Sequence, residues 1–167
     1  MATSFFERQL GVYSTYHRDR RNRATHFVGI PLIVFSLLVP TALWNLPIGG
    51  REVPVAFLIA FVAAVGWLAL DGLIGLALLI LLVPMFIVAE WIAATHGAAL
   101  AWPVFAICFV GGWILQFAGH AFEGRRPALM DNLFQAFIGP MFIVAEMLEM
   151  AGIRRKTTGA PLDRPPA

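Results

Sequence analysis

The 167-residue chain holds four histidines, His17, His26, His96 and His120, and their placement is the first sign of chemistry. His17 and His26 lie in the arginine-rich stretch YHRDRRNRATHFVGIPL, from Tyr16 to Leu32, at the edge of a long apolar run. Nine residues at about 100° each would put the two rings on opposite faces of one continuous helix, so they converge only if the chain breaks between them. Asn22 is expected to supply that break, accepting the amide hydrogen of Thr25 and capping a new helix. His120 stands three residues before Glu123 in QFAGHAFEGRRPAL, residues 116–129, which places the two on one helical face.

Three imidazoles with a carboxylate or water form a reasonable ligand set for a divalent transition metal, suited to non-haem Fe(II) oxygen chemistry or a catalytic zinc. Competing readings stay open at this point. An interfacial histidine is often only an amphipathic border residue, and a lipid-binding membrane protein would need nothing more. A b-type haem needs two axial histidines, for which His26 and His120 are the candidate pair, giving an electron-transfer protein. Two-iron membrane oxygenases with about eight histidine ligands are excluded by the count. His96, isolated from the others, has the weakest claim.

The elements that must position these groups are membrane helices. Hydrophobic residues make up 59% of the chain and charged residues 13%, with mean hydropathy +0.77, and the apolar residues come in blocks long enough to cross a bilayer. Residues 4–16 set Phe6, Leu10 and Tyr13 on one stripe of a short helix expected to lie along the membrane surface. Four crossings are predicted: to about Trp44, over Val55–Leu70, from about Leu73 to Ala94, and from about Ala98 to Gly119. The segment NLPIGGREVP turns the chain between the first two. The arginines at 18, 20, 21 and 23 put the amino terminus on the cytoplasmic side, and Arg125 and Arg126 return there after four passes. The last block, DNLFQAFIGPMFIVAEMLEM, carries three carboxylates and is expected to be interfacial or re-entrant from Asp131, kinked near Pro140. The fold class is therefore all-α: about four transmembrane helices, an amino-terminal amphipathic helix and a carboxyl-terminal interfacial helix. Residues 1–153 form a single domain, followed by a disordered basic, proline-rich tail at 154–167. The heptad PMFIVAE occurs at 84–90 and again at 140–146 in unlike flanks, a coincidence of apolar composition rather than a duplication.

The spacing H-x4-N-x3-H-x2-G-x-P, at His17, Asn22, His26, Gly29 and Pro31, together with QFAGHAFEGRRPAL, resembles the Mpo-like family of small membrane proteins. The resemblance implies an Fe(II)-dependent dioxygenase that shortens 2-hydroxy fatty acids by one carbon using O2. It implies His17, His26 and His120 as iron ligands, with Glu123 beside them among the catalytic residues. Asn22, Gln116, Arg125 and Arg126 are the expected substrate contacts, and the acyl tail would run between apolar spans. The expected partners are the 2-hydroxy fatty acid, O2 and membrane lipid, with no nucleic acid. A bacterial inner membrane is the preferred location, or the endoplasmic reticulum membrane in a eukaryote.

Overall fold

The computed structural model describes residues 4–153; the tail expected to be disordered, 154–167, lies outside them. The chain is helical almost throughout: α1 Phe5–Thr15, α2 Arg20–Thr41, α3 Val55–Leu70, α4 Gly72–His96, α5 Ala98–Glu123, a short 3-10 turn Ala128–Met130, and α6 Phe134–Met150. Among the described residues three helices, α2, α4 and α5, are long and apolar enough to cross a membrane. The fourth expected crossing, α3, has 16 residues and reaches about 24 Å, short of a hydrocarbon core of about 30 Å. The NLPIGGREVP segment folds as an antiparallel hairpin, Asn45–Ile48 with Arg51–Pro54, closed by Gly49 and Gly50.

The described residues pack as two compact units, one made of residues 4–27 and 115–153, the other of Val28–Ile114. In the second unit α3 and α4 form a tight hairpin in which Asp71 caps α4, its carboxylate accepting from the Ile74 amide at 3.0 Å. Also within it, α2 and α5 meet at Gly112, where a Cβ would come within 2.6 Å of the Ile33 side chain and 2.9 Å of the Gly29 carbonyl. Close approach of two helix backbones needs a residue without a side chain there.

In the first unit α1 packs on α6. Its capping box is complete: Ser4 accepts from the Glu7 amide at 3.1 Å, and Glu7 reaches back to the Ser4 amide at 2.8 Å. The stripe Phe6, Leu10 and Tyr13 is buried by protein, with Tyr13 against Phe142 at 4.7 Å and Gln135 donating to Gln9 at 2.8 Å. The apolar side of the helix thus faces α6. Burying three such side chains is worth about 1.5–3 kcal/mol each, as an upper estimate. The last helix starts at Phe134 rather than Asp131, and Ile138 through Glu146 are buried on every side. In this unit that stretch of α6 is covered by protein.

The glycines of α5 provide a paired test. A Cβ at Gly111 meets nothing within 4 Å, whereas one at Gly112 collides with α2. Gly111→Ala is expected to be neutral or to stabilise by up to about 1 kcal/mol. Gly112→Ala should destabilise by about 1–3 kcal/mol. Thermal unfolding in detergent distinguishes the two.

Candidate metal centre

The chain does break between His17 and His26, but earlier than expected and by different means. Helix α1 ends at Thr15, a short link follows, and α2 begins at Arg20. Asp19 starts it, its carboxylate accepting from the Arg21 amide at 2.8 Å and pairing with the Arg21 guanidinium at 2.9 Å. The capping role expected of Asn22 is therefore corrected. Asn22 lies one turn inside α2 and is fully buried, and its side-chain amide donates to the Tyr16 carbonyl at 3.0 Å and to Glu123 at 3.2 Å.

Glu123 closes the arrangement from the end of α5. One carboxylate oxygen accepts from the Arg18 amide at 3.0 Å, the other from the Asp19 amide at 2.7 Å. These amides belong to the link and the start of α2, where amides lack helical partners and negative charge is favourable. Contact at this level depends on Gly119, where a Cβ would fall on the Thr25 hydroxyl and the Asn22 side chain. Gly112 and Gly119 are seven residues apart, two turns on one face of α5.

With that scaffold in place three imidazoles converge. His17, His26 and His120 are each buried, and one ring nitrogen of each lies within 4.8 Å of the others. Ring centroids are separated by 4.4 Å for His17 and His26, 4.9 Å for His17 and His120, and 5.0 Å for His26 and His120. His17 Nδ1 donates to the Tyr13 carbonyl and His26 Nδ1 to the Asn22 carbonyl, both at 2.8 Å. A carbonyl can only accept, so both Nδ1 atoms carry hydrogen and both Nε2 atoms of the neutral rings present bare lone pairs. Those two Nε2 atoms are 2.9 Å apart.

Two buried lone pairs so placed repel unless a cation lies between them. Protonating a ring is the expensive solution: burial, reinforced by the neighbouring His26, holds His17 down at about 2, against an ordinary value near 6.5. A metal ion is the alternative that fits. Two imidazole nitrogens at the ordinary bond length of about 2.0–2.1 Å from one ion can be separated by 2.9 Å, and ligating histidines commonly donate their other N–H to a backbone carbonyl. The third ring adds a further mark, since His120 Nδ1 is buried without a hydrogen-bond partner.

The remaining expected site residues divide. Gln116, one turn before His120, is buried with its Nε2 unpartnered. Arg125 reaches the Thr15 carbonyl at 3.4 Å, while Arg126 pairs with Asp131, which also accepts from the Tyr16 hydroxyl at 3.0 Å. His96 is exposed at the end of α4, edge-on to Trp91, and takes no part in the cluster.

Two features escaped the sequence reading. Tyr13 stacks on His17 with centroids 4.1 Å apart and planes 2° from parallel, which its position one turn before His17 could have suggested. Arg23, read as part of a cluster that orients the chain and meets lipid headgroups or a substrate carboxylate, pairs at 2.8 Å with Glu146, whose side chain is 3% exposed. A carboxylate following the apolar run FIGPMFIVA was the signal for a buried partner.

Fold and cluster together define a helical membrane protein with a buried cluster of three histidines that could hold a metal ion. The chain belongs to the family described as 2-hydroxy-palmitic acid dioxygenase Mpo1-like, whose profile matches residues 3–151. Over 152 residues it is 30% identical to the 2-hydroxy-palmitic acid dioxygenase MPO1 of Saccharomyces cerevisiae, a match covering 86% of this chain and 80% of the yeast protein. No solved structure matches the chain.

Glu123→Ala should loosen the link that carries His17 and lower metal affinity about 10–100-fold, with α-helix content retained, as read by metal titration and circular dichroism. The ion pair gives a pH-dependent outcome. Burial pushes the Glu146 carboxyl above its usual range and Arg23 pulls it back. A carboxyl raised in the folded state favours its protonated form, so stability falls as pH rises above the unfolded value near 4.3. Arg23→Ala is accordingly expected to cost more stability at pH 8 than at pH 5. At the higher pH the loss should be about 3 kcal/mol, the low end for a broken buried pair because Arg23 keeps a solvated face.

Proposed function

We propose that the chain is an Fe(II)-dependent dioxygenase that converts a 2-hydroxy fatty acid and O2 into the acid one carbon shorter, CO2 and water. In that balance the bond between C1 and C2 breaks and O2 accepts every electron released, so no separate reductant is required. The observation that carries the reading is the pair of bare Nε2 lone pairs 2.9 Å apart, joined by a third buried imidazole. Three neutral nitrogen ligands leave coordination positions open, the pattern of a catalytic rather than a closed structural site. When bound, Fe(II) supplies the centre at which oxygen is activated.

The protein's own groups then have distinct tasks. His17, His26 and His120 hold the ion, and the carbonyls of Tyr13 and Asn22 fix the tautomers of the first two. Glu123 and the Asn22 amide nitrogen keep the link and α2 in register with α5. Gln116 has a buried donor with no protein partner, suited to an oxygen of the substrate's carboxylate or 2-hydroxyl. Arg125 and Arg126 place positive charge beyond the end of α5, where a fatty acid carboxylate would rest. The yeast relative's name, a dioxygenase of 2-hydroxy-palmitic acid, supports the same substrate class.

A haem reading is disfavoured by packing. Axial histidines lie on opposite faces of a macrocycle, yet the His26 and His120 centroids are 5.0 Å apart and His17 touches both.

His26→Ala and His120→Ala are each expected to lose stoichiometric iron, measured by elemental analysis of purified protein, and to lose oxygen-dependent shortening of 2-hydroxypalmitate by at least about 100-fold. A His26→Ala protein that kept both would remove His26 from the ligand set. His96→Ala should retain iron and turnover.

A further inference from the structure

A shallow, open cavity of about 440 Å³ lies on the surface beside the histidine cluster, lined by Phe117, His120 and Ala121 of α5 together with Arg125, Arg126 and Met130. The α5 residues recur at three and four positions, so they line one helical face. Along that face the chemistry changes in order. Phe117, 53% exposed on a membrane-crossing helix, comes first; His120 follows a turn later; the arginines stand just past the helix end. From Phe117 to Gly124 is about 10 Å. Apolar, imidazole, cation is the sequence of groups that an amphipathic acid presents in reverse: acyl chain, polar C2 and C1, carboxylate.

The two cations are not equivalent. Arg126 is committed to Asp131, whereas the contact of Arg125 is a long one, 3.4 Å to the Thr15 carbonyl. His120 belongs to the cavity wall, so the cavity adjoins the histidine cluster as well as the rim charge.

We infer that this cavity admits the polar end of a long-chain 2-hydroxy acid directly from the bilayer, its carboxylate held by Arg125 and its acyl chain leaving past Phe117 along α5 into lipid. The assignment rests on the dioxygenase reading and adds to it the route of entry and the residue that selects a free acid.

The test is anaerobic binding to the iron-loaded protein in lipid nanodiscs, with 2-hydroxypalmitate and its methyl ester as probes. Arg125→Gln should weaken binding of the acid about tenfold, the scale of a hydrogen bond to a charged group, and change binding of the ester less than twofold. Arg126→Gln should have the smaller effect on the acid. Ala121→Trp, which fills the cavity, should abolish binding of both probes while iron content is unchanged. Because Arg125 is on the exposed rim, its variant keeps the test decisive if Ala121→Trp fails to hold metal. An unaltered preference for acid over ester in Arg125→Gln overturns the inference, as does wild-type binding by an iron-replete Ala121→Trp. Wild-type protein that shortens 2-hydroxypalmitate while Arg125→Gln binds normally overturns the cavity assignment alone. Wild-type protein that performs no oxygen-dependent shortening overturns the dioxygenase reading.

Discussion

Two imidazole lone pairs held 2.9 Å apart in a buried setting are the constraint to which the surrounding structure answers. Neither ring can turn away without giving up a 2.8 Å hydrogen bond to a backbone carbonyl. Those carbonyls belong to different helices, Tyr13 to α1 and Asn22 to α2, so the relative placement of the two helices is written into the ring geometry. Tyr13 is used twice, through its carbonyl and through the ring stacked on His17. A buried pair of acceptors facing each other is tolerable only if a cation relieves it.

What keeps the rings from separating is a single carboxylate. Glu123 gathers the Arg18 and Asp19 amides and the Asn22 side chain, binding the link and the start of α2 to the end of α5. His120 is three residues before it on the same face, so the tie that closes the link also sets the third imidazole. Gly119 allows the approach, because any side chain there would meet Asn22 and Thr25. Glu123 thus acts through amide groups, and the group that could hold a metal ion consists of imidazole nitrogens alone among the described residues.

Concentration of unsatisfied polar atoms points the same way. Of the six buried side-chain atoms without a hydrogen-bond partner among the described residues, those of Asn22, Gln116, His120, Gln135 and Glu146 fall in the unit that holds the histidines. Only Glu90 lies elsewhere. A folded protein bears such a cost where it binds something, and in Glu146 only one carboxylate oxygen is left over, the other being paired with Arg23.

Sequence by itself determined the class of protein and singled out the three histidines that the fold brings together. Apolar blocks of membrane length dictate helices because a backbone in lipid must satisfy its own hydrogen bonds. The nine-residue spacing of His17 and His26 requires a break between them whatever residue makes it. Tertiary structure decided which residue does so: Asp19 caps α2, while Asn22, equally capable by type, is drawn inward by Glu123. It also decided the fate of apolar surface, which composition cannot assign. The heptad PMFIVAE leaves Ile87 and Val88 59% and 44% exposed in α4, whereas in α6 the equivalent Ile143 and Val144 are 5% and 3% exposed. Seven identical residues form a helix in both places because local propensity is the same. Whether that helix meets lipid or protein depends on what packs against it, and for α6 the covering stripe comes from α1, more than a hundred residues away in the chain.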